Sequence, residues 1–370
     1  MLHTLTSPLD MIGRSKGELD TPALVVDLDA MERNIRLMAD FLGDGPVKLR
    51  PHMKTHKTPQ IALMQIRAGA AGVTCQKVSE AEAMVDGGVE DVLIANQIVG
   101  PVKIHRLMDL ARRARVMVAV DNADNVADLS RAAVATGVTL GVLVEINHGM
   151  NRCGTEPGQP TLALARIVAD APGLRFLGLQ AYEGHVVMLP DFEARKAAVE
   201  QALAIAMGSK ALIEADGLPV PVFSGGGTGS YAITGRYPGV TELQAGSYVT
   251  MDVGYKRIGM PFECALTVLT TIVSRPRDGV IVGDSGLKVI TPEFGMPDIV
   301  DLPGAKVIYL SEEHTKIEVS EPLPEVRVGS KIELIPSHGC TTFNLHDWVY
   351  MIRNDVIEHV WRVTARGRSQ

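Results

Sequence analysis

An eight-stranded parallel α/β barrel of the (β/α)8 type, followed by an antiparallel β domain, is the fold class this sequence predicts. Three observations predict it. Between Val47 and Tyr248 short apolar runs alternate with longer segments of helical period. Those runs are apolar along their length, as strands covered on both faces must be. After about Met260 the pattern changes to β-branched alternating runs separated by Pro, Gly and Asp turns.

In chain order the barrel strands are expected at Val47–His52, Gly72–Cys75, Val92–Ala95, Val116–Val120, Leu140–Ile146, Phe176–Tyr182, Val220–Gly225 and Glu242–Tyr248. Segments such as "SEAEAMVDGG" and "LALARIVADAPG" carry Ala, Leu, Glu and Arg at helical spacing and stop at Gly or Pro. Strand and helix in alternation are satisfied by a closed parallel barrel. "TPALVVDL" (Thr21 to Leu28) precedes the eight and is expected to join the sheet of the β domain. The expected division is therefore residues 1–28 as an N-terminal segment, 29–258 as the barrel and 259–370 as the β domain.

At 370 residues the chain is long enough for a barrel and a smaller second domain. A net charge of -7 gives no electrostatic reason to expect nucleic acid or an anionic membrane as partner, so a small-molecule substrate is favoured. The opening "MLHTLTSPLDMIGRSKGELD" is broken by Pro8, Asp10, Gly13 and Lys16, and neither a signal peptide nor a membrane span is read there. A cytoplasmic protein is expected. Cys75, Cys153, Cys264 and Cys340 have no zinc-knuckle or redox spacing and are expected to be free thiols unless one meets a metal.

In such barrels the working residues sit at the carboxyl ends of the strands, and a phosphate is often held after strands seven and eight. Here those places hold "SGGGTGS" (Ser224 to Ser230) and "AGSY" (Ala245 to Tyr248). Glycines let backbone amides close on an anion, so these two turns, with Gly226 and Gly227 in the first, are expected to take one. The stretch "KLRPHMKTHKTPQIA" puts Lys54 just past the first strand, with His56 and Lys57 behind it. A rim lysine beside other cations loses proton affinity, as a Schiff-base lysine must. A phosphate anchor and such a lysine together suggest pyridoxal 5'-phosphate; the bland reading is a solvated basic patch. Arg152 and Tyr182 end the fifth and sixth strands, placed to steer the cofactor's phenolic oxygen or pack on its ring. Gln76 follows the second strand and either touches the cofactor or caps the next helix. Near the end, "IPSHGCTTFNLHDW" offers His338 and Cys340, which in an extended segment point to one side and could grip one divalent ion.

The motifs "LRPHMKTHKTPQIA", "CQKVSEAEA", "RCG", "QAYEG", "SGGGTGS", "TELQAGSY" and "PSHGCTTFNLHDW" resemble, in order and from about Asp20 to Gly367, the D-threonine aldolase and D-3-hydroxyaspartate aldolase group. That group is related to D-serine dehydratase among the pyridoxal phosphate enzymes of the alanine racemase fold, fold type III. The resemblance implies a homodimer in which the β domain of one subunit closes the barrel mouth of the other. It implies that Lys54 bonds the cofactor and that Gln76, Arg152, Tyr182, Thr228, Gly246, Ser247 and Tyr248 surround it. Lys54, Arg152, Tyr182 and His56 are the expected catalytic residues, and His338 with Cys340 the expected metal ligands. The aldolases of the group carry His-x-Asp at the metal site where this chain has His-x-Cys, the dehydratase pattern. A thiolate favours zinc where a carboxylate suits manganese or magnesium. The remaining motifs side with the aldolases. The expected reaction is therefore cleavage of a D-β-hydroxy-α-amino acid to glycine and an aldehyde. The alternative is a dehydratase of D-serine, D-threonine or 3-hydroxyaspartate giving a 2-oxo acid and ammonia. An amino-acid racemase or a non-enzymatic cofactor carrier ranks below both.

Overall fold

The computed structural model describes residues 7–320 and 323–370, which fall into two compact units. One unit contains Met38–Lys54, Pro59–Gly246 and Arg368–Gln370; the other contains the chain up to Leu37, Thr55–Thr58 and Ser247–Gly367. The first strand along the chain, β1 (Ala23–Asp27), belongs to the second unit and leads into α1 (Leu28–Leu42).

The first unit is the barrel. Its strands are β2 (Lys48–Leu49), β3 (Val73–Cys75), β4 (Asp91–Gln97), β5 (Arg115–Val120), β6 (Leu140–Glu145), β7 (Leu174–Ala181), β8 (Val222–Gly225) and β9 (Glu242–Leu243). Between them run α2 (Pro59–Arg67), α3 (Val78–Asp86), α4 (Pro101–Ala111), α5 (Ala123–Thr136), α6 (Gln159–Asp170), α7 (Phe192–Ala215) and α8 (Tyr231–Thr234). The eight strands are parallel neighbours in the order β2-β9-β8-β7-β6-β5-β4-β3. A bridge between His52 and Thr74 joins the two ends, with the Thr74 amide donating to Pro51 O at 2.9 Å.

That seam is fastened by a buried ion cluster. Arg50 donates to Glu242 at 3.0 and 2.9 Å and to Asp91 at 2.7 Å. Gly72 leaves the space, since a Cβ there would lie 2.5 Å from the guanidinium. Inside the ring Leu93, Ala95, Met117 and Leu143 pack with Leu177 and Val222, which is why these strands read as continuous apolar runs. The helices are bounded as their sequences dictate. Asn122 accepts from the amides of Asp124 and Asn125 to start α5, and Gly137 ends it in the left-handed region at φ 67°.

The second unit holds α9 (Val253–Arg257), β10 (Leu266–Arg277), β11 (Val280–Gly283), β12 (Asp298–Ile299), β13 (Ala305–Leu310), β14 (Thr315–Val319), β15 (Lys331–Ile335), α10 (Gly339–Phe343), β16 (Trp348–Arg353) and β17 (Val356–Arg362). The main path of its sheet is β13-β14-β11-β10-β1-β16-β17, with β15 on β10 and β12 on β15. β1 is antiparallel to β10 and parallel to β16, and its Ala23 and Val25 share a core with Leu269, Ile352, Ile357 and Val360.

Two local expectations change. The eighth barrel strand is only Glu242–Leu243, because Gly246 and a 3-10 turn at Ser247–Val249 end the extended run. β16 was not foreseen. It reads "WVYMIR", whose residues are apolar from Trp348 to Ile352, so its in-and-out pattern is not written as apolar-polar alternation.

Candidate active site

Within the barrel unit, the residues expected at the rim lie at the carboxyl ends of the strands. Lys54 is half-buried in the 3-10 turn Met53–Thr55 that follows β2. Its backbone N–H donates to His52 Nδ1 at 3.4 Å, so the imidazole proton is on Nε2, which donates to Gln76 Oε1 at 3.1 Å. Gln76 is held again through its main chain. Its amide donates to Glu80 at 2.6 Å and its carbonyl accepts from Asn96 at 3.0 Å.

The end of β6 supplies Glu145, which is buried, accepts from Gln97 Nε2 at 2.6 Å and lies 3.7 Å from the Arg152 guanidinium. Burial raises the Glu145 pKa, and the bond from Gln97 and the charge of Arg152 oppose that rise. Arg152 in turn stands 5.7 Å from the centre of the Tyr182 ring. Arg152 and Tyr182 thus come together, with Glu145 as the floor under the arginine.

Directly after Tyr182 comes Glu183, whose side chain is fully buried. Its carboxylate accepts from the Gly226 amide at 3.3 Å, from Ser230 Oγ at 2.6 Å and from Thr234 Oγ1. The Gly227 amide donates to Ser230 Oγ at 3.1 Å, so the glycine turn after β8 is tied to the end of β7. Gly226 has φ 76°, and a Cβ there would meet Leu243 Cδ1 at 2.5 Å. A Cβ on Gly227 would lie 3.3 Å from the Tyr182 ring, so that ring rests against bare backbone. Thr228 is buried in the same turn. Gly246 is buried after β9, and among the described residues its amide has no acceptor. A buried N–H in that condition fits an anionic ligand, as the phosphate of pyridoxal phosphate is.

Within the second unit, Ser247 and Tyr248 lie in the buried turn Ser247–Val249, and Tyr248 packs on Phe262 with ring centres 5.4 Å apart. Ser247 Oγ is 3.8 Å from Cys340 Sγ, and that thiol donates to Thr55 Oγ1 at 3.5 Å. His56 is fully buried, its Nδ1 accepting from the Thr58 amide at 3.1 Å. His338 and Cys340 are not in an extended strand, as their spacing suggests. His338 is the N-cap residue of α10 and Cys340 lies in its first turn, so the helix start rather than strand alternation brings them together.

Asp252 orders this end. It is fully buried, and its Oδ2 accepts from His338 Nδ1 at 2.9 Å and from the Gly339 amide at 3.0 Å, while Oδ1 accepts from the Tyr255 amide at 3.0 Å. Phe294 packs on the imidazole with centres 4.4 Å apart. Burial opposes a charge on His338, but Cys340 and Asp252 beside it outweigh burial and raise the pKa to about 10. Surroundings that favour a proton there favour a cation generally. With Nδ1 committed to a carboxylate, Nε2 is the nitrogen left for a metal, the usual arrangement for a ligating histidine. Among the described residues no cluster of three His, Cys, Asp or Glu side chains is arranged to hold an ion. A divalent ion held by His338 and Cys340 would therefore complete its shell with water or substrate.

Glu145, Glu183, Asp252 and His52 were missed as candidates. Glu183 lies inside the quoted "QAYEG", and His52 inside "RPHMK", so both were in view. Asp252 had a usable signal, a single acid between apolar residues in "YVTMDVGY". Further along the same motif, His346 Nε2 donates to Val289 O at 2.7 Å, and Asp347 accepts from Arg366 at 2.6 Å.

Comparison with known proteins bears on the family and the fold. The family model for the alanine racemase N-terminal domain matches residues 26–253, and a serine dehydratase domain model matches residues 265–352. The chain is 41% identical to a D-threonine aldolase of an Arthrobacter species over 97% of this chain and 96% of that protein. It is 40% identical to a 3-hydroxy-D-aspartate aldolase of Paracoccus denitrificans over 96% and 95%. A D-threo-3-hydroxyaspartate dehydratase of Delftia is 31% identical over 88% and 92%. The solved D-threonine aldolase of Filomicrobium marinum superposes with a TM-score of 0.95 at 44% identity, covering 97% of this chain and 99% of that one.

Proposed function

Because this chain belongs to the family of the D-threonine and 3-hydroxy-D-aspartate aldolases, with a barrel of the alanine racemase type, we propose that it is a pyridoxal phosphate- and divalent-metal-dependent lyase. Its substrates on this reading are D-β-hydroxy-α-amino acids resembling D-threonine, and its products glycine and an aldehyde. The observation that carries the reading is the set of strand ends in the barrel: a rim amine, an arginine over a tyrosine, and a glycine turn locked against that tyrosine. The dehydratase alternative draws on Cys340, but the dehydratase relative is the more distant in sequence.

Lys54 would tether the cofactor, and Gln76, Arg152, Tyr182, Thr228 and the segment Gly246–Tyr248 would hold it, with Gly226 and Gly227, whose amides are taken by Glu183 and Ser230, shaping the turn rather than bonding the phosphate as the sequence suggests. His338 and Cys340 would hold the ion, zinc being the choice a thiolate favours over manganese or magnesium. When bound, pyridoxal phosphate supplies a sink for the electron pair left at Cα, and a divalent ion supplies acidity to the β-hydroxyl. The chain's own residues set the stage. Glu145 and Gln97 fix the arginine that would face the cofactor's phenolic oxygen. His52 keeps the Gln76 amide turned the same way as the lysine turn. Asp252 holds the His338 Nδ1 proton, so that Nε2 is the nitrogen an ion would take. The reading includes a homodimer in the cytoplasm; among the described residues no helix is long and apolar enough to cross a membrane.

The test is product analysis after incubation with D-threonine and with D-serine, pyridoxal phosphate and a divalent ion being supplied. Acetaldehyde with equimolar glycine from D-threonine is the expected outcome, abolished by a chelator and restored by metal. Release of 2-oxobutanoate or pyruvate with ammonia would establish the dehydratase instead.

A further inference from the structure

Glu183 has no part in the chemistry described above, yet it is a fully buried carboxylate at the mouth of a barrel. A buried carboxylate is costly unless its oxygens are hydrogen-bonded, and here every donor comes from one short segment. Gly226 N and the hydroxyls of Ser230 and Thr234 all converge on it, and Gly227 N joins through Ser230 Oγ. Three groups within nine residues are thus drawn directly, and a fourth through Ser230, to one side chain just past the end of β7. The amides of Gly226 and Gly227 are thereby committed to protein acceptors, which fixes the direction of the peptides that follow. The same pull seats Gly227 on the ring of Tyr182, the residue next to Glu183 in the chain.

We propose that Glu183 is a positioning residue that pre-forms the phosphate turn after β8, so that the cradle exists before the cofactor arrives and its shape is coupled to the Tyr182 ring. This rests on the pyridoxal phosphate reading of the barrel. Pre-organisation of this kind lowers the ordering penalty on binding and so raises affinity for the phosphate end of a ligand. An amide replaces the carboxylate only in part: its oxygen can still accept from the Gly226 N–H, but its nitrogen is a donor where Ser230 and Thr234 donate, so both hydroxyls must turn to accept and the charge that draws the turn together is lost.

The experiment is a fluorescence titration of the apo protein with pyridoxal phosphate and, separately, with pyridoxal, which lacks the phosphate. For Glu183→Gln the expected result is a Kd for pyridoxal phosphate raised about tenfold or more, with the Kd for pyridoxal unchanged; Ser230→Ala should move the first Kd in the same direction by less. An equal loss for both ligands, or no loss for either, overturns the proposal. If Glu183→Gln does not yield folded protein, Ser230→Ala decides by the same two titrations. Wild-type protein that fails to bind pyridoxal phosphate at all overturns the underlying cofactor reading, an outcome distinct from a wild type that binds and a variant that binds equally well.

Discussion

Asp252 shows how one side chain sets the chemistry of another. By accepting from His338 Nδ1 at 2.9 Å it holds the Nδ1 proton, so that Nε2 is the nitrogen a metal would take. Asp252→Asn keeps the shape but removes the charge, and partners of this kind contribute about 10–100-fold in metal affinity. The expected outcome is a zinc Kd raised by about that factor, read by competition with a chelating dye, with the fold retained by circular dichroism. His346 behaves differently. Burial lowers its pKa from the ordinary histidine value, and its Nε2–H donates to Val289 O at 2.7 Å. The unfolded chain therefore takes up a proton at this residue more readily than the folded one, so stability rises with pH through this group. Its contribution is whole above the ordinary value of about 6.5 and is lost as pH falls below it. Melting temperature should drop between pH ~7 and ~5, and His346→Gln should show a shallower drop over that interval. Neither role was legible in the sequence, since the partners of both residues lie 57 or more positions away.

The turn after β8 is the element on which the cofactor reading depends. Its glycines were legible as an anion cradle, but the sequence pattern could not tell which of them are required by space and which by backbone angle. Gly226 is required by both: φ is 76°, and a Cβ would meet Leu243 at 2.5 Å and Thr234 at 3.0 Å. Gly226→Ala is expected to lose about 1–3 kcal/mol of stability from the strained backbone angle, before any clash is counted. Thermal or urea denaturation measures that, and the same variant should need more pyridoxal phosphate for half-saturation. The α10 start gives the opposite lesson. His-x-Cys was legible as a ligand pair, but the extended geometry assumed for it was wrong, because a helix cap places two residues together as readily as a strand does.

Across the molecule, the alternation of apolar runs with helical segments made the eight-stranded order readable, and the change of period after Met260 made the second sheet readable. What stayed hidden depends on contacts between distant stretches. Thr55–Thr58 groups with the β unit although it directly follows Lys54, and β16 is covered on both sides by strands from opposite ends of the chain. The buried link of Arg50 to Glu242 and Asp91, across the seam of the barrel, is likewise invisible to any local window.

The central claim is that one amine, that of Lys54, carries the pyridoxal cofactor. Loading the protein with pyridoxal phosphate, reducing it with borohydride and mapping the pyridoxyl group by peptide mass spectrometry tests this directly. The account predicts the label on Lys54, with Lys54→Ala colourless and unlabelled under the same treatment. A label on Lys48, Lys57 or any other lysine, or a loaded protein that takes up no label, would contradict it.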